Sequence, residues 1–292
     1  MNNDRIQEIL DLMEEARLDY FLISDPQSIA YCTGYYNDPH ERMFVFMISK
    51  HGNHTLFMND LFYLDHDLDV NIVWHKDGQD AIQTIVDEMH FPGRIGIDKN
   101  WASHFLLDLM KKLPDAKYIN ASPCVDLVRM KKDLQEQVLM IESSKINDAV
   151  MEEIIPFIQE GVTEKQLAKK LDELFFKHHS TCYGAIVAFG KNAADPHHEN
   201  DDTLLRKGDC VLIDMGCVYK GYCSDMTRTF FYEGILEEEI KVYEIVKKAN
   251  EAAEAMIKPG VKLSDIDKCA RKVISDEGYG TVSYTHLTLP TT

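Results

Sequence analysis

The chain has 292 residues, longer than most single hydrophobic cores, so two domains are expected, with one large α/β domain as the alternative. Its 49 Asp and Glu against 31 Lys and Arg leave a net charge of −18, which repels phosphate backbones and argues against general nucleic-acid binding. Seven cysteines form no CxxC pair, the N-terminus lacks the basic start and apolar run of a signal peptide, and no segment approaches the roughly 20 apolar residues of a membrane span, so a reduced, cytoplasmic protein is expected.

Ile6, Ile9, Leu10, Met13 and Ala16 recur at three- and four-residue steps, which predicts an amphipathic opening helix. Short apolar runs at 20–23, 43–48, 55–58, 71–74, 94–97 and 117–119 predict strands, interleaved with helical stretches near 79–89 and 103–112. That alternation is an α/β pattern. Ser122 and Pro123 break the chain, and a long helical pattern then runs from Leu134 through Val138, Ile141, Ile146 and Val150 toward Ile155. The domain boundary is placed here, with one domain over residues 1–130 and a second over 131–280. In the second, a helix over 164–176 precedes strand-like runs at 183–189, 209–215 and 222–231, and helices over 236–257 and 263–277 follow. This half is α+β. Residues 281–292 end Thr-rich and follow GYG abruptly, so a non-native tail is expected there.

The informative stretch is residues 209–231, DCVLIDMGCVYKGYCSDMTRTFF. Asp214 interrupts an apolar run, where an unpartnered carboxylate is costly to desolvate. Asp225 lies on the next strand, and a hairpin turning near residues 218–221 would send both side chains out of one sheet face, opposite each other. Two carboxylates so placed repel and call for a shared proton or a cation; oxygen ligands suit Mn²⁺, with Zn²⁺, Fe²⁺ and Co²⁺ chemically open. Upstream, FGKNAADPHHEN at 189–200 forms a loop after a strand and offers His197 and His198. Adjacent histidines point in different directions in extended chain, so at most one faces a given site.

FGKNAADPHH, then GDCVLIDMG, then GYCSDMTRTF, in that order and spacing, resembles the catalytic domain of the pita-bread M24 metallopeptidases: prolidase, aminopeptidase P, methionine aminopeptidase and creatinase. SIAYCTGYYNDPHERMFVFMISKHG resembles the N-terminal domain of the creatinase/prolidase branch, and DPHERMF is similar to bacterial Xaa-Pro dipeptidases. The resemblance covers roughly residues 1–280. It implies an α/β creatinase-like N-terminal domain followed by an α+β pita-bread catalytic domain. It implies that Asp214 binds one metal and Asp225 bridges two, Mn²⁺ foremost, and that His197 hydrogen-bonds the substrate near the scissile amide. His198 is then a bystander, and Tyr222 and Arg228 are as readily structural supports of the hairpin. The implied activity is hydrolysis of the Xaa-Pro bond in short proline-containing peptides by a metal-bridged water, as a dipeptidase or an aminopeptidase P. A homodimer is implied as well, while the net charge and the lack of an apolar span argue against nucleic-acid and membrane partners.

The family's remaining ligands are a histidine in GHGxG and two later glutamates, and the sequence carries none of them in those motifs. DEGYG at 276–280 resembles the lead-in to that histidine, whereas His286 in YTHLT lacks the flanking glycines. The expectation is a C-terminally truncated, inactive form of an active parent. A metal-free creatinase-like amidinohydrolase is the alternative enzyme, disfavoured by both aspartates standing in their motifs, and a non-catalytic binding protein on the same scaffold is the alternative from another class.

Overall fold

The computed structural model describes residues 1–90 and 92–280, which divide into one compact unit over Met1–Lys132 and a second from Asp133 onward. The predicted tail at 281–292, with His286, lies outside the described residues.

In the first unit, α1 (Asn3–Glu15) is capped by the Asn2 side chain and buries Ile6, Ile9 and Met13. It leads through β1 (Tyr20–Ile23) and α2 (Pro26–Thr33) to β2 (Val45–Ser49), β3 (Thr55–Asn59) and β4 (Asn71–His75). Then come α3 (Ala81–Asp87), β5 (Arg94–Ile97), α4 (Ser103–Lys112), β6 (Lys117–Asn120) and α5 (Ser122–Met130). The six strands form one mixed sheet in the order β4-β3-β2-β1-β5-β6. Phe21 and Ile23 of β1 enter the core under α1 and α5, and Tyr20 and Leu22 enter the core that holds Ile82 and Ile85 of α3 and Leu109 of α4. Burial on both faces explains why these strands read as continuous apolar runs.

Two local expectations need correction. Ser122 and Pro123 open α5 instead of breaking the chain, because proline in a first helical turn has no intrahelical hydrogen bond to lose. The same chemistry produces α2, which the apolar periodicity did not predict: Pro26 stands in its first turn and the Asp25 side chain caps it by accepting from Ser28 N.

The second unit begins with α6 (Leu134–Ile154), whose N-terminus is closed by a capping box between Asp133 and Glu136. After a short 3₁₀ turn come α7 (Glu164–Lys177), β7 (Thr181–Cys182), β8 (Ile186–Phe189), β9 (Cys210–Tyr219), β10 (Tyr222–Phe231), α8 (Glu237–Ala255) and α9 (Leu263–Asp276). β9 is the central strand: β10 pairs along one edge, and β7 and β8 pair with successive stretches of the other, all antiparallel. Val211, Ile213, Met215 and Cys217 of β9 are buried against Val150 and Ile154 of α6 and Leu167, Leu171 and Phe175 of α7. The residues between them face the other way, and that second face carries the chemistry.

Candidate active site

β9 and β10 are joined by a two-residue turn, Lys220–Gly221, with φ of +48° and +85°. Positive φ at both central positions matches the twist of the flanking strands, and glycine at the second adopts it without strain. The turn sets the register: Tyr219 faces Tyr222, Asp214 faces Thr227, and Asp225 faces Gly216. The two aspartates therefore stand on one face, but diagonally, two residues out of step, and not directly opposite as expected from the sequence. Both side chains therefore leave the same sheet face from adjacent strands.

Thr227 donates its hydroxyl to Asp214 Oδ1 at 2.7 Å, which fixes that half-buried carboxylate. Gly216, across from the exposed Asp225, leaves room for Tyr183, whose hydroxyl donates to Ser224 O at 2.8 Å and lies 3.4 Å from Asp225 Oδ2. Partial burial, reinforced by the charge of Asp225 close by, pushes the Tyr183 phenol up to about 12. Tyr222, read from sequence as a support of the hairpin, donates to Glu136 Oε1 at 2.8 Å and ties β10 to the start of α6. The Arg228 guanidinium donates to Thr227 O at 2.9 Å.

His197 lies in the loop after β8, at the third position of a turn closed by His198 N donating to Asp195 O at 3.2 Å. Its backbone N–H donates to Asp195 Oδ1 at 3.0 Å, and its exposed ring has no hydrogen-bond partner among the described residues. His198 is turned away from His197's exposed side, into the protein. Its Nε2 lies 2.6 Å from Oε2 of Glu164, a residue with no solvent exposure. Glu164, His198 and Asp201 form the one cluster of three close metal-ligating side chains among the described residues. Glu164 is already saturated: Oε1 accepts from Phe189 N and Asn192 Nδ2, both at 2.9 Å, and Oε2 from His198 and from Asp201 N at 3.1 Å. Four donors fill a carboxylate's acceptor positions, so a cation here would have to displace protein.

The donor chemistry fits a hard divalent cation better at the hairpin, where two carboxylates share one face and Thr227 orients the first. Among the described residues no third acid, cysteine or histidine joins Asp214 and Asp225 closely enough to make a cluster. Sequence reasoning missed Tyr183, Gly216, Thr227 and Glu164. Of these only Gly216 carried a signal, a glycine inside a strand pattern, which marks close approach by another group.

Residues 138–289 match metallopeptidase family M24, and residues 5–131 match the creatinase/prolidase N-terminal domain. An uncharacterized peptidase of Staphylococcus aureus is 30% identical over 285 residues, a match that takes in 94% of this chain and 80% of the relative. Among solved structures, a dipeptidase from Pyrococcus horikoshii superposes with a TM-score of 0.86 at 33% identity, covering 95% of this chain and 79% of that one. An Xaa-Pro dipeptidase from Bacillus anthracis gives a TM-score of 0.84 at 25% identity, with 95% and 78% covered. With a creatinase-type N-terminal domain, a pita-bread domain after it, and the aspartate hairpin inside the matched region, the chain belongs to metallopeptidase family M24.

Proposed function

We propose that this protein is an Xaa-Pro dipeptidase that works with two divalent cations, Mn²⁺ foremost. The observation that carries the proposal is the hairpin register, which sends Asp214 and Asp225 from one sheet face within a matched M24 region. The dipeptidase relatives and the DPHERMF segment favour a dipeptide over a longer substrate.

Asp214 and Asp225 would hold the cations, and Thr227 would keep the Asp214 carboxylate in its orientation. Bound there, divalent cations supply electrophilic activation of the scissile carbonyl and a hydroxide nucleophile at neutral pH. His197, on its turn in the loop after β8, would donate a hydrogen bond to the substrate beside the scissile amide and strengthen it as charge develops in the transition state. The ligand set is proposed to be completed outside the described residues. A cytoplasmic homodimer belongs to the same proposal; seven cysteines without a disulfide are in keeping with a reducing compartment.

The test is hydrolysis of Xaa-Pro dipeptides by the protein with Mn²⁺, after chelation and after readdition. Activity lost on chelation and restored by Mn²⁺ supports the assignment. Activity that survives exhaustive chelation points to the metal-free amidinohydrolase instead. Cleavage of Xaa-Pro-Xaa tripeptides in preference to dipeptides reassigns the protein to the aminopeptidase P type.

A further inference from the structure

The loop that carries His197 is fastened by residues to which the proposed reaction gives no role. It leaves β8 at Phe189 and returns by Asp201, and the backbone N–H groups of both residues donate to the same buried carboxylate, Glu164. Glu164 opens α7 directly after its Thr163 cap, where the positive end of the helix favours a carboxylate. Between those ends, Asn192 Nδ2 donates to Glu164 Oε1 and lies 3.2 Å from Thr203 Oγ1. Asn200 imitates a strand neighbour of β8, its Oδ1 accepting from Val187 N and its Nδ2 donating to Ala185 O, both at 2.7 Å. The last tie is His198, with Nε2 on Glu164 and a side chain only 12% exposed.

We propose that Glu164 and His198 form a buried carboxylate–imidazole latch that sets the direction of His197, making both positioning residues for it. The inference rests on the role given to His197 under the proposed function. His197 and His198 are consecutive at the corner of one turn: Pro196 fixes the backbone before them, Asp195 accepts from both of their N–H groups, and His198 is pinned inward. The His198 imidazole is held in the protein, and the neighbouring His197 is exposed. Release of the latch would free the turn to rotate and would spoil the aim of His197, though His197 itself is unaltered.

His198→Gln keeps a donor near the position of Nε2, His198→Leu removes it, and Glu164→Gln turns one of the acceptor oxygens into a donor facing donors. In the 292-residue chain, amide hydrogen exchange over residues 189–201 should quicken about tenfold or more in His198→Leu and Glu164→Gln. His198→Gln should stay within about twofold of the parent, as should α6 and β9 in every variant. In the Mn²⁺-loaded protein, His198→Leu should lower kcat by about tenfold with KM little changed, and His198→Gln should restore it. The decisive variant combines His197→Ala with His198→Leu: if His198 acts through His197, the pair loses no more than His197→Ala alone. Losses that multiply, parental exchange in His198→Leu, or Zn²⁺ binding by the parent that His198→Leu abolishes would each overturn the latch. Full activity in His197→Ala would instead remove the role proposed for His197, and exchange over 189–201 would still decide whether the latch holds the loop.

Discussion

Gly216 stands directly across the hairpin from Asp225, and the Tyr183 hydroxyl fills the space that any side chain on residue 216 would need. A Cβ there would fall 2.1 Å from Tyr183 Oη and 2.3 Å from Ser224 O. One of these neighbours is main chain in the paired strand, so the strain cannot be relieved by rotating a side chain. Gly216→Ala is expected to destabilise the second unit by about 1–3 kcal/mol, and urea denaturation measures it. A variant as stable as the parent would show that Gly216 is not packed this closely against Tyr183 and Ser224.

Asp214→Asn and Asp225→Asn should act in opposite directions on metal binding and on metal-free stability. Removal of one of two neighbouring like charges relieves repulsion, so unfolding in chelator should hold steady or rise by up to about 1 kcal/mol. Mn²⁺ affinity, followed by titration calorimetry, should fall more than tenfold, as expected for loss of a ligand. Parental affinity in both variants would end the metal assignment.

Thr227→Val keeps the shape of the side chain and deletes the hydroxyl 2.7 Å from Asp214 Oδ1. The expected result is a roughly 10–100-fold loss of Mn²⁺ affinity with little change in unfolding, because the carboxylate keeps its place in the chain but loses its orientation. Unchanged calorimetry would indicate that Asp214 is oriented by other means.

A pH dependence belongs to the first unit. Partial burial pushes the Asp19 carboxyl up, but the hydrogen bond from Lys50 and those from the backbone N–H groups of Arg94 and Gly93 outweigh it and hold it below its ordinary value of 3.8. A carboxylate with a depressed folded-state value stabilises the fold above its unfolded value and loses that contribution as pH falls through the folded one. Asp19→Asn should therefore cost roughly 1 kcal/mol at neutral pH, and that cost should shrink as pH falls below the ordinary value of 3.8, as read from thermal unfolding. A penalty that persists in acid would assign the effect to packing.

Much of this architecture was legible before any coordinates because its period is short. The runs at 20–23, 94–97 and 222–231 and the helix from Leu134 are local hydrophobic patterns, and the fold preserves them as β1, β5, β10 and α6. Pro123 misled because proline terminates one helix and starts another by the same missing N–H, and only the chain after it decides which. The acidic pair was visible as residue types at a spacing. Its two-residue offset was not, since that follows from which two residues form the turn, and residues 218–221 admit several choices. Glu164 and Tyr183 left no trace in the pattern: their partners lie 25 to 42 positions away, and nothing periodic announces such a contact.

The Lys220–Gly221 turn has a consequence for how the chemistry arises at all. β9 turns Val211, Ile213, Met215 and Cys217 to the helices and Leu212, Asp214, Gly216 and Val218 to the opposite side, so its register is a binary choice. An insertion that slid β10 by a single position would drive Asp225 among the isoleucines and leave Met226 standing in water. Oil-seeking and acid-presenting residues are thus sorted by one event, and a chain that collapses correctly has already assembled its carboxylate pair.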